Sequence, residues 1–303
     1  MITGTTGFVG QNLVPYLKKR NFPIFPVGRN INNNHEKKYN DLRVKDFNQN
    51  DVFIHLAGKA HDLKNVSNDE EYFKINTDLT KRLFDQFLKS NCKTFIYISS
   101  VKAAADFVNN ILTEETEPKP ITAYGKSKLQ AEKYILKKNT DKQVIVLRPC
   151  MIHGRNNKGN LNLLYSFISK GIPFPLGKYK NVRSFVSIEN LCFVILELIK
   201  QKNVPSGVYN VSDDESLSTN ELVRLIGEVI NRPVKVIEIP KLLIKFIANV
   251  GNRLPLPINS ERLEKLTQNY KVSNLKIKKA LLITSLPISA REGFKKTIES
   301  FMQ

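Results

Sequence analysis

Cysteine is scarce in this chain of 303 residues. Cys92, Cys150 and Cys192 are few, odd in number and far apart, which excludes a disulfide framework and offers no metal-binding spacing. No metal is expected, and a reducing cytoplasm is the expected compartment. A long apolar run is also missing. The most apolar late stretch, "KLLIKFIANVGNRLPLPI", is broken by Lys245, Asn249, Gly251 and prolines, so it is too short and too polar to cross a bilayer. It reads as an amphipathic helix that packs on the body of the protein or lies along a membrane surface. No secretory leader is legible, because the chain runs straight into a glycine turn. Nor is there a long basic tail, although Lys and Arg outnumber Asp and Glu by 47 to 28, a net charge of +19. The excess comes in short runs such as Lys18-Lys19-Arg20 and Lys278-Lys279. That pattern describes a solvated basic surface, and no nucleic-acid partner is expected.

What the first half does have is alternation. Short apolar runs at 22–27, 51–57, 94–99 and 143–149 are separated by helix-like segments, among them "EEYFKINTDLTKRLFDQFLKS" and "AYGKSKLQAEKYILKK". Strands separated by helices predict an α/β fold with a doubly wound parallel sheet covered on both faces. The expected division is a nucleotide-binding, Rossmann-type domain over 1–150 and a smaller, mostly helical lobe over 151–303. In the second part helices are expected near 160–170, 189–202, 218–232, 240–249 and 287–302. Strands are expected near 183–187, 207–211 and 234–238, some of them completing the main sheet. The Asn-rich stretch 29–41 reads as a mobile loop.

Gly4, Gly7 and Gly10 stand three apart between a strand remnant and a helix starting near Phe8. Such glycines allow a tight turn, close approach of a pyrophosphate to the backbone, and tight packing of helix on strand, with the phosphates at the helix N-terminus. Only Met1 and Ile2 precede Thr3, and in this fold the first strand is central. The expectation is therefore that the natural coding sequence begins further upstream. An acid at the end of the second strand would hold the ribose 2′-hydroxyl of NAD, yet that place reads Val27-Gly28-Arg29-Asn30. A guanidinium there suits a 2′-phosphate, so NADP(H) is preferred and NAD(H) remains possible. The alternative is that Arg29 begins a basic loop and Asp41 or Asp46 serves the adenosine.

Tyr124 and Lys128 stand i, i+4 on one helix face. A nearby ammonium, joined by a cationic nicotinamide, would lower the tyrosine pKa toward working pH. Tyr134 and Lys138 repeat the spacing, but ten residues on is about 15 Å along the axis and a different face. Only Tyr124 has partners upstream: Ser99 and Ser100 follow a strand, at the sheet edge where α/β proteins bind ligands.

These elements together resemble the extended short-chain dehydrogenase/reductase family in its nucleotide-sugar, NAD-dependent epimerase/dehydratase branch. The resemblance rests on Thr3-Gly4-x-x-Gly7-x-x-Gly10, "HLAG" (55–58), "IYISS" (96–100), Tyr124-x-x-x-Lys128, "LRPCMIHG" (147–154) and "RSFVSIENL" (183–191), in family order over most of the chain. It implies that Tyr124 is the acid/base, that Lys128 holds the nicotinamide ribose and tunes Tyr124, and that Ser100 hydrogen-bonds the reacting oxygen. Cofactor contacts would come from Gly4, Thr6, Gly7, Phe8, Val9 and Gly10 in the turn, Arg29, Leu56, Ala57 and Gly58, Asn76, Ser99, and Met151 beyond Arg148-Pro149. Lys102, Asn160 and Arg183 would face the substrate, the last two at its diphosphate; a helix cap and a surface charge are the alternatives for Asn160 and Arg183.

One departure is Ala103-Ala104-Ala105 where many members have Val-Tyr-Gly, which alters the sugar-facing wall. "SSVK", "HLAGKAH" and "SFVSIENL" are similar to a UDP-glucose 4-epimerase-like bacterial subgroup that includes reductases of UDP-linked 4-keto sugars. The expected activity is hydride transfer at C4 of a UDP-hexose or UDP-N-acetylhexosamine: NADPH-dependent reduction of a UDP-4-keto-6-deoxy-HexNAc for surface polysaccharide, or 4-epimerisation with retained NAD. A dehydratase is disfavoured, because Ile121-Thr122-Ala123 before Tyr124 supplies no acidic pair. A nucleotide-sensing regulator on the same fold is the reading from another class, and intact Tyr124 and Lys128 argue against it. A homodimer through a helix pair is usual in the family.

Overall fold

In the computed structural model, which describes residues 1–29, 37–60, 68–157, 160–253 and 259–302 and only the backbone of Asn160, the chain opens with the two-residue strand β1 (Ile2–Thr3). The glycine turn leads into α1 (Phe8–Lys18), and β2 (Pro26–Gly28), β3 (Lys37–Lys38), α2 (Val44–Asn48) and β4 (Val52–His55) follow. Next come α3 (Asp69–Tyr72), a π-helix (Phe73–Asp78), α4 (Leu79–Leu88), β5 (Thr94–Ile98), β6 (Ile111–Leu112), α5 (Ala123–Lys137), β7 (Gln143–Pro149) and β8 (Met151–His153). The second part supplies α6 (Asn160–Ser169), β9 (Phe185–Ser187), α7 (Ile188–Lys200), β10 (Gly207–Val211), α8 (Thr219–Val229), α9 (Lys241–Val250), α10 (Ser260–Thr267), β11 (Lys271–Val272), α11 (Leu275–Ala280) and α12 (Ala290–Glu299).

Seven strands form one parallel sheet in the order β10-β7-β5-β4-β1-β2-β3. Short as it is, β1 lies between β2 and β4, with Ile2 opposite Pro26 on one side and Ile54 on the other. From β1 the chain builds outward through β2 and β3, then crosses to β4 on the other flank. That reversal is the topological switch point where open α/β sheets bind ligands, outside the carboxyl ends of the strands. Gly4, Leu56, Ser99 and Cys150 are the first residues past β1, β4, β5 and β7, so they stand together at that edge.

Covering both faces explains why the strands read as continuous apolar runs. Side chains alternate along β5: Phe95 and Tyr97 join Leu83, Phe84 and Phe87 of α4 and Ala131 and Ile135 of α5, while Ile96 and Ile98 join Leu13 and Leu17 of α1 and Leu191 and Ile195 of α7. A third core lies beyond the sheet, where α6, α8, α9, α10 and α12 enclose Ile168, Val223, Ile226, Ile244 and Phe294. Side-chain caps fix several of these helices at their N-termini: Thr122 for α5, Ser187 for α7, Ser218 for α8, Asn259 for α10 and Ser289 for α12. Each such cap contributes about 1 kcal/mol.

The structure differs from the sequence reading in four places. The expected strand at 22–27 shrinks to β2 because Pro23 and Pro26 offer no N–H to a ladder. The single helix expected over 70–90 is split by the π-turn at 73–78. Residues 234–238 form no strand; Val236 and Glu238 make only isolated bridges to Phe174 and Leu176. The short helices α2, α10 and α11 and the short strands β3, β6, β8 and β11 have no counterpart in the sequence reading, β3 standing inside the stretch expected as a loop, whereas β10 does return to the main sheet. Most of the Asn-rich stretch lies outside the described residues.

Candidate active site

The glycine turn has the shape of an anion cradle. Gly4 adopts φ +72°, and a Cβ there would fall 2.7 Å from the Ala57 nitrogen in the loop after β4. A Cβ at Gly10 would overlap the Gly4 carbonyl oxygen and lie 2.7 Å from the Thr5 carbonyl carbon, so helix and turn touch only because Gly10 has no side chain. Gly7 is different: its Cβ would approach only the Gly4 oxygen, at 3.3 Å, and Thr6 and Gly7 are exposed. No side chain caps α1 and no acid stands in its first turn, which leaves its positive end to a phosphate. These residues fit the pyrophosphate of a dinucleotide, with Phe8 and Val9 half-buried behind them. Gly10→Ala should therefore destabilise the protein by about 1–3 kcal/mol, seen as a lower Tm without cofactor. Gly7→Ala should fold nearly normally and show its loss in cofactor affinity instead.

Across the switch point, Ser100 follows β5, and its hydroxyl is near enough to the Tyr124 phenol to lower the phenol's pKa. Tyr124 lies in the first turn of α5, whose start is clamped by the buried Asp106 carboxylate: this accepts from the Ile121 and Thr122 amides at 2.6 and 3.0 Å and from the Thr122 hydroxyl at 3.1 Å. Gly125 follows because the helix meets the Lys102 backbone there. One turn on, buried Lys128 donates to the Ile98 carbonyl at 2.9 Å. Burial pulls its ammonium down to about 8, against the opposing pull of the Glu132 carboxylate. The expected lowering of the Tyr124 pKa does not arise from this chain's own groups. Burial raises the phenol, and the nearby Ser100 hydroxyl offsets part of that.

Asn76 sits in the π-turn, fully buried. Its carbonyl accepts from the Lys59 amide at 2.7 Å, and its amide donates to the Lys59 carbonyl at 3.1 Å and the Ser127 hydroxyl at 3.0 Å. It thus fastens the loop after β4 to α5, beside exposed Gly58, whose Cβ would lie 3.0 Å from both Asn76 Oδ1 and Lys128 Nζ. Leu56 is half-buried and Ala57 buried in the same loop. His55 bridges Thr3 at 2.7 Å and Thr80 at 2.9 Å, and burial pushes its imidazole down to about 3, so it is neutral.

Ser99 lies beside Ser100 in sequence but faces elsewhere. Its hydroxyl donates to Glu132, which also receives Arg148 through Nε and Nη2 in a buried ion pair. The sequence reading did not find Glu132 and Arg148. The available signals were a carboxylate one turn past Lys128 and an arginine inside the apolar run "QVIVLRP". Tyr134 is tied to Asp85 of α4 at 2.7 and 2.9 Å, away from Ser100.

Of the residues expected at the substrate, Lys102 donates to the Asp106 carbonyl at 2.7 Å and lies 4.6 Å over the Tyr270 ring. Burial lowers its pKa, and Arg183 is close enough to add to that. Arg183 donates to the Lys265 carbonyl on α10 and keeps a buried Nε without a protein partner. Arg29 is exposed at the end of β2, and Met151 is partly exposed at the start of β8. Residue 160 begins α6, and its side chain lies outside the described residues.

The chain matches the NAD dependent epimerase/dehydratase family over residues 1–212. It belongs to that family. The enzyme is 31% identical over 323 residues to a UDP-glucose 4-epimerase of Vibrio cholerae, covering 100% of this chain and 95% of that one. It is 28% identical over 304 residues to an N-acetyl-alpha-D-glucosaminyl-diphospho-ditrans,octacis-undecaprenol 4-epimerase of Escherichia coli O157:H7, covering 92% and 84%. Its fold matches that of UDP-glucuronic acid 4-epimerase from Bacillus cereus in complex with NAD, with a TM-score of 0.75 at 17% identity over 100% and 98% of the chains. This is therefore an NAD(P)-dependent enzyme of the nucleotide-sugar epimerase and reductase group. Among the described residues no group of side chains could hold a metal ion, and no helix is long and apolar enough to cross a membrane.

Proposed function

We propose that this enzyme reduces C4 of a UDP-linked 4-keto-6-deoxy-N-acetylhexosamine with NADPH, a cytoplasmic step toward surface polysaccharide. The observation that carries the chemistry is the nearness of the Ser100 hydroxyl to the Tyr124 phenol, with Lys128 one turn along α5. Bound nicotinamide supplies the hydride. Ser100 and Tyr124 hold the C4 oxygen, Tyr124 gives it a proton, and Lys128 supplies positive charge beneath the pair. The body up to residue 150 holds the dinucleotide, and 151–303, with Arg183 and Asn160, holds the sugar nucleotide against Lys102. Arg29 supports the choice of NADPH, since β2 ends without a carboxylate. A second reading, 4-epimerisation with retained NAD, draws support from the names of the two relatives above.

The two separate in one assay. Stoichiometric loss of nicotinamide absorbance with NADPH and UDP-4-keto-6-deoxy-N-acetylglucosamine makes the enzyme a reductase. UDP-hexose interconversion without added cofactor, with no NADPH loss, makes it an epimerase. Arg29→Asp should then move preference from NADP toward NAD by about tenfold or more, in line with the loss of one charge-assisted contact of about 1.5–3 kcal/mol. An unchanged ratio of kcat/KM for the two cofactors would remove Arg29 from the site.

A further inference from the structure

Helix α9 carries two apolar faces, and the fold uses one of them. Ile244 and Ala248, four apart, are buried in the third core. Leu242, Leu243 and Phe246 are 82, 49 and 65% exposed. At about 100° per residue, Leu242, Phe246, Val250 and Leu243 fill an arc of roughly 100° turned away from Ile244 and Ala248. A single exposed leucine is ordinary, but three large apolar side chains within five residues on one helix mark a surface that meets something apolar. The charges around the arc are of one sign. Lys245 lies beside its Leu242 edge and Arg253 follows the helix, while no Asp or Glu occurs between Ile239 and Ser260; Lys241 falls on the core side, 5.4 Å over the Tyr179 ring.

We propose that α9 docks this enzyme on an anionic phospholipid bilayer. The helix lies in the membrane plane, with Leu242, Leu243 and Phe246 below the headgroups and Lys245 at the lipid phosphates. Its 10 residues make a rod of about 15 Å, far too short to span a bilayer and suited to lying on one. Charge decides between a bilayer and a second copy of the chain. A two-fold contact would set this lysine-bordered face against itself with no acid on the segment to meet the cations, whereas phosphates meet them on a lipid surface. The net charge of +19 acts in the same direction at longer range. The docking face is continuous with the lobe that holds Arg183: α9 packs on α10, Asn252 just past α9 bonds Ser260 at its start, and Arg183 donates to the α10 carbonyl of Lys265. None of the docking side chains belongs to the site itself, and the proposal stands whichever C4 reaction the enzyme performs.

The test is co-sedimentation of the full chain with vesicles of phosphatidylcholine alone and of phosphatidylcholine with phosphatidylglycerol. Wild-type protein should bind the anionic vesicles at low salt, bind the neutral ones weakly, and release as salt rises past the screening regime. Leu242→Asp/Phe246→Asp should bind on the order of a hundredfold more weakly. Lys245→Gln should weaken binding by about fivefold. Because these positions are exposed, the variants should keep wild-type Tm and wild-type turnover of free nucleotide sugar. Equal binding by wild type and the double aspartate variant, or no binding by wild type at low salt, would overturn the proposal. So would a dimer in sedimentation velocity that the aspartate pair dissolves while vesicle binding is absent; that result would assign the face to a second copy.

Discussion

Tyr124→Phe should lower turnover by roughly a thousandfold while leaving cofactor affinity within about twofold of wild type, since a positioned proton donor contributes 10²–10⁴-fold. The phenol is the group whose loss leaves geometry intact. Its ring packs edge-on against Tyr72 at 6.2 Å, and its oxygen lies near the Ser100 hydroxyl, so Phe keeps the ring contact and loses only the phenol oxygen and its proton. The direction of the pKa shift adds a second expectation. Burial raises the phenol above its ordinary value near 10, so at neutral pH Tyr124 is protonated and begins as an acid, the state that reduction of a ketone requires. Reductive turnover should be flat up to neutrality and fall as Lys128 loses its charge near pH 8, with the phenol itself ionising only at more alkaline pH. Tyr134→Phe is the control: it removes the bonds to Asp85 that join α5 to α4, costs about 1 kcal/mol of stability, and should leave kcat nearly unchanged. Equal kinetic losses in the two variants would mean that the i, i+4 pairing of Tyr124 with Lys128 is not the reactive one.

The separation of the two identical spacings was legible in the sequence because it depends on local geometry: ten residues along one helix put Tyr134 at Asp85 of α4 and leave Tyr124 near Ser100. The glycine turn was legible for the same reason. Each of its constraints is short-range, between Gly4, Thr5 and Gly10, apart from the approach of Gly4 to Ala57. The alternating order of strands and helices gave the parallel sheet. Elements that owe their form to distant partners were not legible. Residues 234–238 read as a strand from their β-branched residues, yet they find only Phe174 and Leu176 to pair with. The π-turn at 73–78 has no periodic signature, since it is set by what Asn76 must reach, the loop after β4 and Ser127 on α5. Ser99 looked equivalent to Ser100 because adjacent residues past a strand point to opposite sides only once the strand's register is known. Its hydroxyl belongs to Glu132 on α5, and that carboxylate's real partner, Arg148, is on β7, the next element along the chain.

Glu132→Ala should destabilise the protein by about 3–5 kcal/mol, the loss expected when one half of a buried ion pair is removed and the other is left without a counter-charge. Arg148 is buried at 3% exposure, and Nε and Nη2 of its guanidinium both bond to Glu132, which is itself 1% exposed. The pair also receives the Ser99 hydroxyl, so it fixes the end of β5 against α5, the two elements that carry Ser100 and Tyr124. A double change, Glu132→Leu with Arg148→Met, should recover most of the stability, because replacing both charges with apolar side chains removes the desolvation cost along with the attraction. The effect on Lys128 makes the prediction specific. Lys128 has a folded pKa near 8 against an ordinary value of 10.5, so the unfolded chain binds more protons between those values and the stability this group contributes is lost as pH falls from 10.5 toward 8. Glu132 is what holds the folded value up. In Glu132→Gln, which keeps a hydrogen-bonding side chain, the folded pKa should drop further, and the loss of stability should continue below pH 8 where the wild-type curve has levelled. Urea unfolding of both proteins across pH 6–10 measures this directly. The gap between the curves should widen as pH falls through the lower half of that range. A gap that is constant with pH would leave Glu132 as a partner of Arg148 alone, with no hold on the lysine beneath Tyr124.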